Sequence, residues 1–215
     1  LIILDAMRYD YFGEFYPKYL EGELLKVYNN GVSYTLDWWS EMFTEKYDAV
    51  LYDPVPFTLE QQEEVDWKYS EHFNKVVGPE RIDFDHEKDT CPPVYVNRVV
   101  RGDSYTGMKV IRYIFPHPPL DGLDFTKGSG KIRKTEEKLV KEKVTEKELK
   151  EAYGRNVKTS FEGVVDLVSC LNGEVVLTSD HGTALGKNGF LFHARSYPEM
   201  PCLNHVPWFR AEGVM

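Results

Sequence analysis

Cysteine is scarce in this chain: Cys91, Cys170 and Cys202 are all it has, with no CxxC pair and no metal-ligand spacing. An odd count argues against a disulfide framework and for a reducing compartment, here expected to be cytoplasmic. Long apolar runs are missing as well. No stretch approaches the roughly 18 residues of a membrane span, and no charged-then-apolar signal segment precedes the first strand. Positive charge is in deficit, with a formal net charge of −9, which disfavours non-specific binding to nucleic acid or to an anionic membrane. An anionic substrate would instead need locally placed cations, a metal ion and Arg8 among them. The initiator Met is absent and the chain opens inside what reads as a strand, so a few N-terminal residues are expected to be missing. Internal repeats and low-complexity tracts are lacking too.

What is present suffices for one sizeable core. With 215 residues, 42% hydrophobic and 14% aromatic, the expectation is a single domain over residues 1–215. Apolar runs alternate with helical patterns, which predicts an α/β three-layer sandwich, a mostly parallel sheet with helices on both faces. The candidate strands are Leu1–Leu4, Ala49–Tyr52, Phe73–Val77, Met108–Phe115, Glu174–Thr178 and Val206–Phe209. Helices are expected over Tyr11–Leu20, interrupted at Pro17, from Ser33–Thr35 through Trp38, Trp39, Met42 and Phe43, and over Leu59–Ser70. The best-marked helix opens on the capping box Thr145-Glu146-Lys147-Glu148 and stops at Asn172-Gly173. Its Leu149, Tyr153, Val157, Val164, Val168 and Leu171 recur at helical spacing and are expected to face the core. Lys127–Lys143 reads as a charged surface segment, with a mobile lid as the alternative. Ile82–Pro93, with His86, reads as a loop.

Two strand exits carry the chemistry. Leu1-Ile2-Ile3-Leu4 delivers Asp5, and Glu174-Val175-Val176-Leu177 delivers Thr178-Ser179-Asp180-His181-Gly182. In an open α/β sheet the carboxyl ends of the strands form the ligand crevice, so Asp5, Asp180 and His181 can meet there. Simple capping of a turn or helix is the alternative for each Asp.

These signatures resemble the alkaline phosphatase and sulfatase superfamily, whose members share a first-strand Asp ligand and a late Thr-Ser-Asp-His-Gly segment. Pro116-His117-Pro118-Pro119 is similar to the family's Pro-His-x-Pro loop, and His193 stands where such enzymes place another metal-binding His before a closing strand, here Val206-Pro207-Trp208. The resemblance implies an alkaline-phosphatase-like fold, a metal held by Asp5, Asp180, His181 and His193, and substrate contact by His117. It also implies a Ser or Thr nucleophile at a helix start, where the amide groups attract an anion. Thr35 is the first choice and Ser33 the second, with plain capping as the alternative. Arg8 is expected either to touch the anion or to pair with a nearby acid.

The chain also departs from the pattern. No Cys lies near the candidate nucleophile, which removes the formylglycine precursor of typical sulfatases. The Asp-x-x-x-His segment of two-metal phosphatases is not found, and Asp5-Ala6 stands where calcium sulfatases carry two Asp. Mixed oxygen and nitrogen donors favour Zn or Mn, with Ca or Mg as alternatives. The expected activity is metal-dependent hydrolysis of a phosphate or sulfate ester, on an anionic small molecule or a glycan or lipid ester. The alternatives are phosphoryl transfer within the same superfamily, or a non-catalytic member that binds an anion or a protein.

Overall fold

The computed structural model describes residues 1–55, 67–85, 90–123 and 144–214. Their order is β1 (Ile2–Leu4), α1 (Tyr9–Phe15), a 3-10 turn at Tyr16–Lys18, β2 (Leu20–Tyr28), α2 (Thr35–Met42), β3 (Tyr47–Tyr52), α3 (Tyr69–His72), β4 (Phe73–Val77), α4 (Pro93–Gly102), β5 (Met108–Tyr113), α5 (Glu146–Val168), β6 (Val175–Thr178), a 3-10 turn at Lys187–Gly189, α6 (Pro201–Asn204) and β7 (His205–Val214). The seven strands form one sheet in the order β2-β7-β6-β1-β5-β3-β4. From β6 to β4 the pairing is parallel, whereas β7 runs antiparallel to both β6 and β2. The predicted α/β sandwich with helices on both faces is what forms.

Alternation along the central strands assigns each residue to a face. Ile2, Leu4, Val50, Tyr52, Ile111, Tyr113 and Leu177 pack beneath α1, α4 and α5, with Phe12, Val96, Val100, Tyr153, Val157, Phe161 and Val164. Ile3, Ala49, Leu51 and Val110 face the other way, under Trp38 and Trp39 of α2, with Phe43, Trp67, Tyr69 and Phe73. The capping box of α5 is complete: Thr145 Oγ1 accepts from the Glu148 amide at 3.2 Å, and the Thr145 amide donates to Glu148 Oε2 at 2.8 Å.

Two readings change. The first helix ends at Phe15, and residues 20–28 form the edge strand β2, which no expectation covered. Its outward residues, Leu25, Val27 and Tyr28 among them, are exposed, and adjacent Leu24 and Leu25 break the period of two. The hydrophobic pattern therefore carries little strand signal; the antiparallel ladder to β7 makes the strand. Val206–Phe209, expected as a short strand, is the middle of this longer antiparallel partner. Most of Leu59–Ser70, His86 and all of Lys127–Lys143 lie outside the described residues.

Candidate metal centre

At the carboxyl end of the sheet, β1 and β6 lie side by side, with Ile3 opposite Thr178, so their exits converge. Ser179 joins them. Its Oγ donates toward the carbonyl oxygens of Leu4 (2.7 Å) and His181 (2.6 Å) and accepts from the Met7 amide at 2.9 Å. Asp180 Oδ1 accepts from the amides of Ala6 (3.1 Å) and His181 (2.9 Å). The Ala6 amide is aimed there by a positive φ of 60°, a left-handed turn that a residue with Cβ adopts only at some cost. Tyr153 of α5, fully buried, donates to the Ala6 carbonyl at 2.8 Å and locks that turn.

The candidate ligand atoms of Asp5, Asp180 and His181 all lie within 4.8 Å of one another, and all three residues are buried. Thr35 completes the group. It is the first residue of α2 rather than its cap, and its Oγ1 donates to Asp180 Oδ2 at 2.8 Å and lies 3.3 Å from His181 Nε2. The capping alternative for Thr35 is therefore not what this hydroxyl does. Asn29 fixes the approach to the helix, donating to the carbonyls of Asp180 and Val32, each at 2.7 Å.

Three histidines are oriented alike. The Nδ1 atoms of His117, His181 and His193 meet the backbone carbonyls of Pro118 (2.7 Å), Gly182 (2.9 Å) and Ser33 (3.1 Å). A carbonyl can only accept, so each Nδ1 carries a proton and each Nε2 presents its lone pair when the ring is neutral. His181 Nε2 faces Thr35, Asp180 (3.5 Å) and Asp5 (3.8 Å). His117 Nε2 and His193 Nε2 face each other at 2.9 Å, which two neutral lone pairs would not tolerate, so a proton or another cation belongs between them. The His193 ring lies 4.0 Å from that of His181, which links this pair to the ligand group. Burial, followed by the neighbouring histidines, holds the His193 pKa well below the ordinary value.

The loop bearing His117 is a turn, its amide donating to Ile114 O at 2.8 Å. Asn156 of α5 anchors it, donating to Pro119 O at 2.9 Å and accepting from the Asp121 amide at 3.0 Å.

Two expected residues stand apart. Arg8 is held by Asp10, with Nε donating to Oδ1 at 2.8 Å, and by the Thr183 carbonyl at 3.4 Å. Ser33 Oγ donates to Ala194 O at 2.8 Å, and its carbonyl orients His193; it serves as a support and not beside the Asp5 group.

Arg112 belongs to the site although its sequence context, Val110-Ile111-Arg112-Tyr113, reads as an apolar strand. Its guanidinium pairs with Asp5 Oδ2 and reaches Asp53 Oδ2 at 3.3 Å, all three residues being buried. The overlooked signal was a charged residue on the Ile3–Leu51–Val110 face of a buried strand. Burial pushes the Asp5 carboxyl up, but Arg112 and the three histidines outweigh it and bring the pKa to about 2. With Oδ2 occupied, Asp5 Oδ1 is left as a buried oxygen without a hydrogen-bond partner. Such an atom costs free energy unless something positive satisfies it. Two carboxylates, an imidazole and a hydroxyl around that oxygen suit one divalent ion of the Zn or Mn type.

No protein-family model matches the chain, nor does any curated protein sequence. Solved structures do match, in fold. The soluble domain of lipooligosaccharide phosphoethanolamine transferase A from Neisseria meningitidis superposes with a TM-score of 0.58 at 12% identity, over 98% of this chain and 74% of that one. The C-terminal periplasmic domain of phosphoethanolamine transferase EptC from Campylobacter jejuni gives 0.53 at 12%, over 98% and 78%. The corresponding EptC domain of Escherichia coli, in complex with Zn, gives 0.55 at 14%, over 98% and 71%. The chain thus shares the fold of these domains, the alkaline-phosphatase-like α/β sandwich that the resemblance implied.

Proposed function

We propose that this chain is a metal-dependent phosphotransferase in which Thr35 is the nucleophile. The observation that carries the reading is the Thr35 hydroxyl, 2.8 Å from Asp180 Oδ2 and 3.3 Å from His181 Nε2, at the start of a helix. Asp5, Thr35, Asp180 and His181 would hold the ion, and the orphaned Asp5 oxygen supports that fit. When bound, a divalent ion supplies the positive charge that lowers the hydroxyl's pKa and stabilises the transferring group. The remaining steps belong to the chain's own residues. Thr35 Oγ1 attacks phosphorus, the bond from phosphorus to the leaving alcohol breaks, and the Thr35 proton leaves along its hydrogen bond toward Asp180. His117, its Nε2 facing the neutral His193 across 2.9 Å, gives a proton to the departing oxygen and takes one from the incoming hydroxyl, whose oxygen attacks phosphorus as the bond from phosphorus to Thr35 Oγ1 breaks and Thr35 recovers its proton from Asp180.

Transfer to an acceptor alcohol is preferred over hydrolysis because the structural neighbours are named as phosphoethanolamine transferases. The reading extends to phosphoethanolamine as the transferred group and a glycolipid as acceptor, the terms in which one neighbour is named. Vesicles of phosphatidylethanolamine, with Zn²⁺ or Mn²⁺ and lipooligosaccharide as acceptor, provide the test. Release of diacylglycerol that requires metal and Thr35, and that goes beyond one equivalent per enzyme only with acceptor, supports transfer. Free phosphoethanolamine formed without acceptor would move the assignment to hydrolysis, and no diacylglycerol under any metal would overturn the reading.

A further inference from the structure

Deepening that metal reading, on which it rests, we propose that Arg112 and Asp53 form a positioning pair that sets which oxygen Asp5 presents to the ion. Arg112 on β5, Asp5 after β1 and Asp53 after β3 come from three adjacent strands and stand on the sheet face that α2 covers. Arg112 Nη2 holds Asp5 Oδ2, and Nη1 lies 3.4 and 3.3 Å from the two oxygens of Asp53. Asp53 is fixed in turn by the Tyr69 hydroxyl at 2.9 Å and the Val55 amide at 3.0 Å. The chain of contacts thus runs from α3 through Asp53 and Arg112 to one oxygen of Asp5, leaving Oδ1 turned to Asp180 and His181. A guanidinium fork holds two carboxylates in one fixed planar geometry, which the rotatable donors of an ammonium do not impose.

A buried charged triad is weak evidence for stability, since an apolar replacement of the pair often serves the fold as well. Holding a ligand carboxylate in one rotamer is a separate service, and outer-sphere partners of that kind typically change metal affinity about 10–100-fold. Removing Arg112 and Asp53 together separates the two roles. The double variant Arg112→Met with Asp53→Asn deletes one positive and one negative charge, so the net charge of the chain is unchanged while the contact that holds Asp5 Oδ2 is lost.

The experiment is calorimetric titration of Zn²⁺ into wild type, Asp180→Asn and the double variant, each stripped with chelator and checked for an unchanged thermal transition. The account expects the double variant to keep its fold and to lose at least about 10-fold in Zn²⁺ affinity. Should it not fold, Arg112→Lys replaces it with the same loss expected. Affinity within about 2-fold of wild type, in a protein whose Zn²⁺ binding depends on Asp180, would overturn the positioning role and leave the metal reading standing. Wild type that takes up no Zn²⁺, or binding indifferent to Asp180→Asn, would overturn the metal reading and this proposal with it.

Discussion

At the scale of single residues, the site is built from side chains whose secondary contacts leave one useful atom free. Asp180 spends Oδ1 on two backbone amides and keeps Oδ2 for Thr35. His181 spends Nδ1 on Gly182 O and keeps Nε2 for the cluster. Asp180→Ala is therefore expected to lose most bound Zn²⁺ or Mn²⁺, and with it the rise in thermal transition that the metal confers. Elemental analysis and a melting curve with and without metal check this; unchanged metal content would remove Asp180 from the ligand set. His72 is a useful control. It stacks on Trp67 with ring centroids 4.8 Å apart, far from any ligand role, and His72→Ala should leave metal content unchanged. Asp5, Asp180 and His181 were legible in the sequence because a strand exit is a place where topology, not local propensity, fixes direction. Arg112 and Asp53 were not, because their partners come from other strands and only the folded register brings them together.

At the scale of elements, the helix with the strongest sequence signals starts as expected and ends at Val168, before the expected stop at Asn172-Gly173. Thr145→Ala removes the reciprocal cap of α5 and should cost about 1 kcal/mol in urea unfolding, with the metal site unaffected. Asn156 on the same helix does more, because it satisfies both the Pro119 carbonyl and the Asp121 amide of the His117 turn. Asn156→Ala should cost about 1–3 kcal/mol and slow turnover, since it unseats His117 as well as stranding polar groups. At the far edge, Asp103 beyond α4 is tied to Lys75 of β4 at 2.7 Å. The Lys75 hydrogen bond, then that of the Tyr105 amide, lowers the Asp103 pKa to about 2. The unfolded value is about 3.9, so this tie stabilises the fold above that pH and is lost as pH falls toward 2. The stability difference between wild type and Asp103→Asn should accordingly be constant above about pH 5 and vanish near pH 2 in acid unfolding. The element that sequence reading missed, β2, has its signal in pairing with β7 and not in its own pattern.

At the scale of the whole molecule, one sheet carries two cores of different make, and the site sits at the carboxyl end of the central strands between them. The aromatic core under α2 holds the helix whose first residue is Thr35, so packing there and chemistry at the helix start are coupled. Trp39, fully buried, meets Phe43, Trp67, Tyr69 and Phe73, and its truncation to Ala would be expected to cost about 3–5 kcal/mol. Fold class followed from the alternation of apolar runs and helical patterns, because each is a local periodicity that burial amplifies. Among the described residues, no helix is long and apolar enough to cross a membrane. The measurement that bears most directly on the site is a mass-spectrometric peptide map of protein incubated with Zn²⁺ and phosphatidylethanolamine in the absence of acceptor. A phosphoethanolamine adduct on Thr35, absent from Thr35→Ala and from metal-stripped protein, is the expected result; turnover without any adduct on Thr35, or full activity of Thr35→Ala, would contradict it.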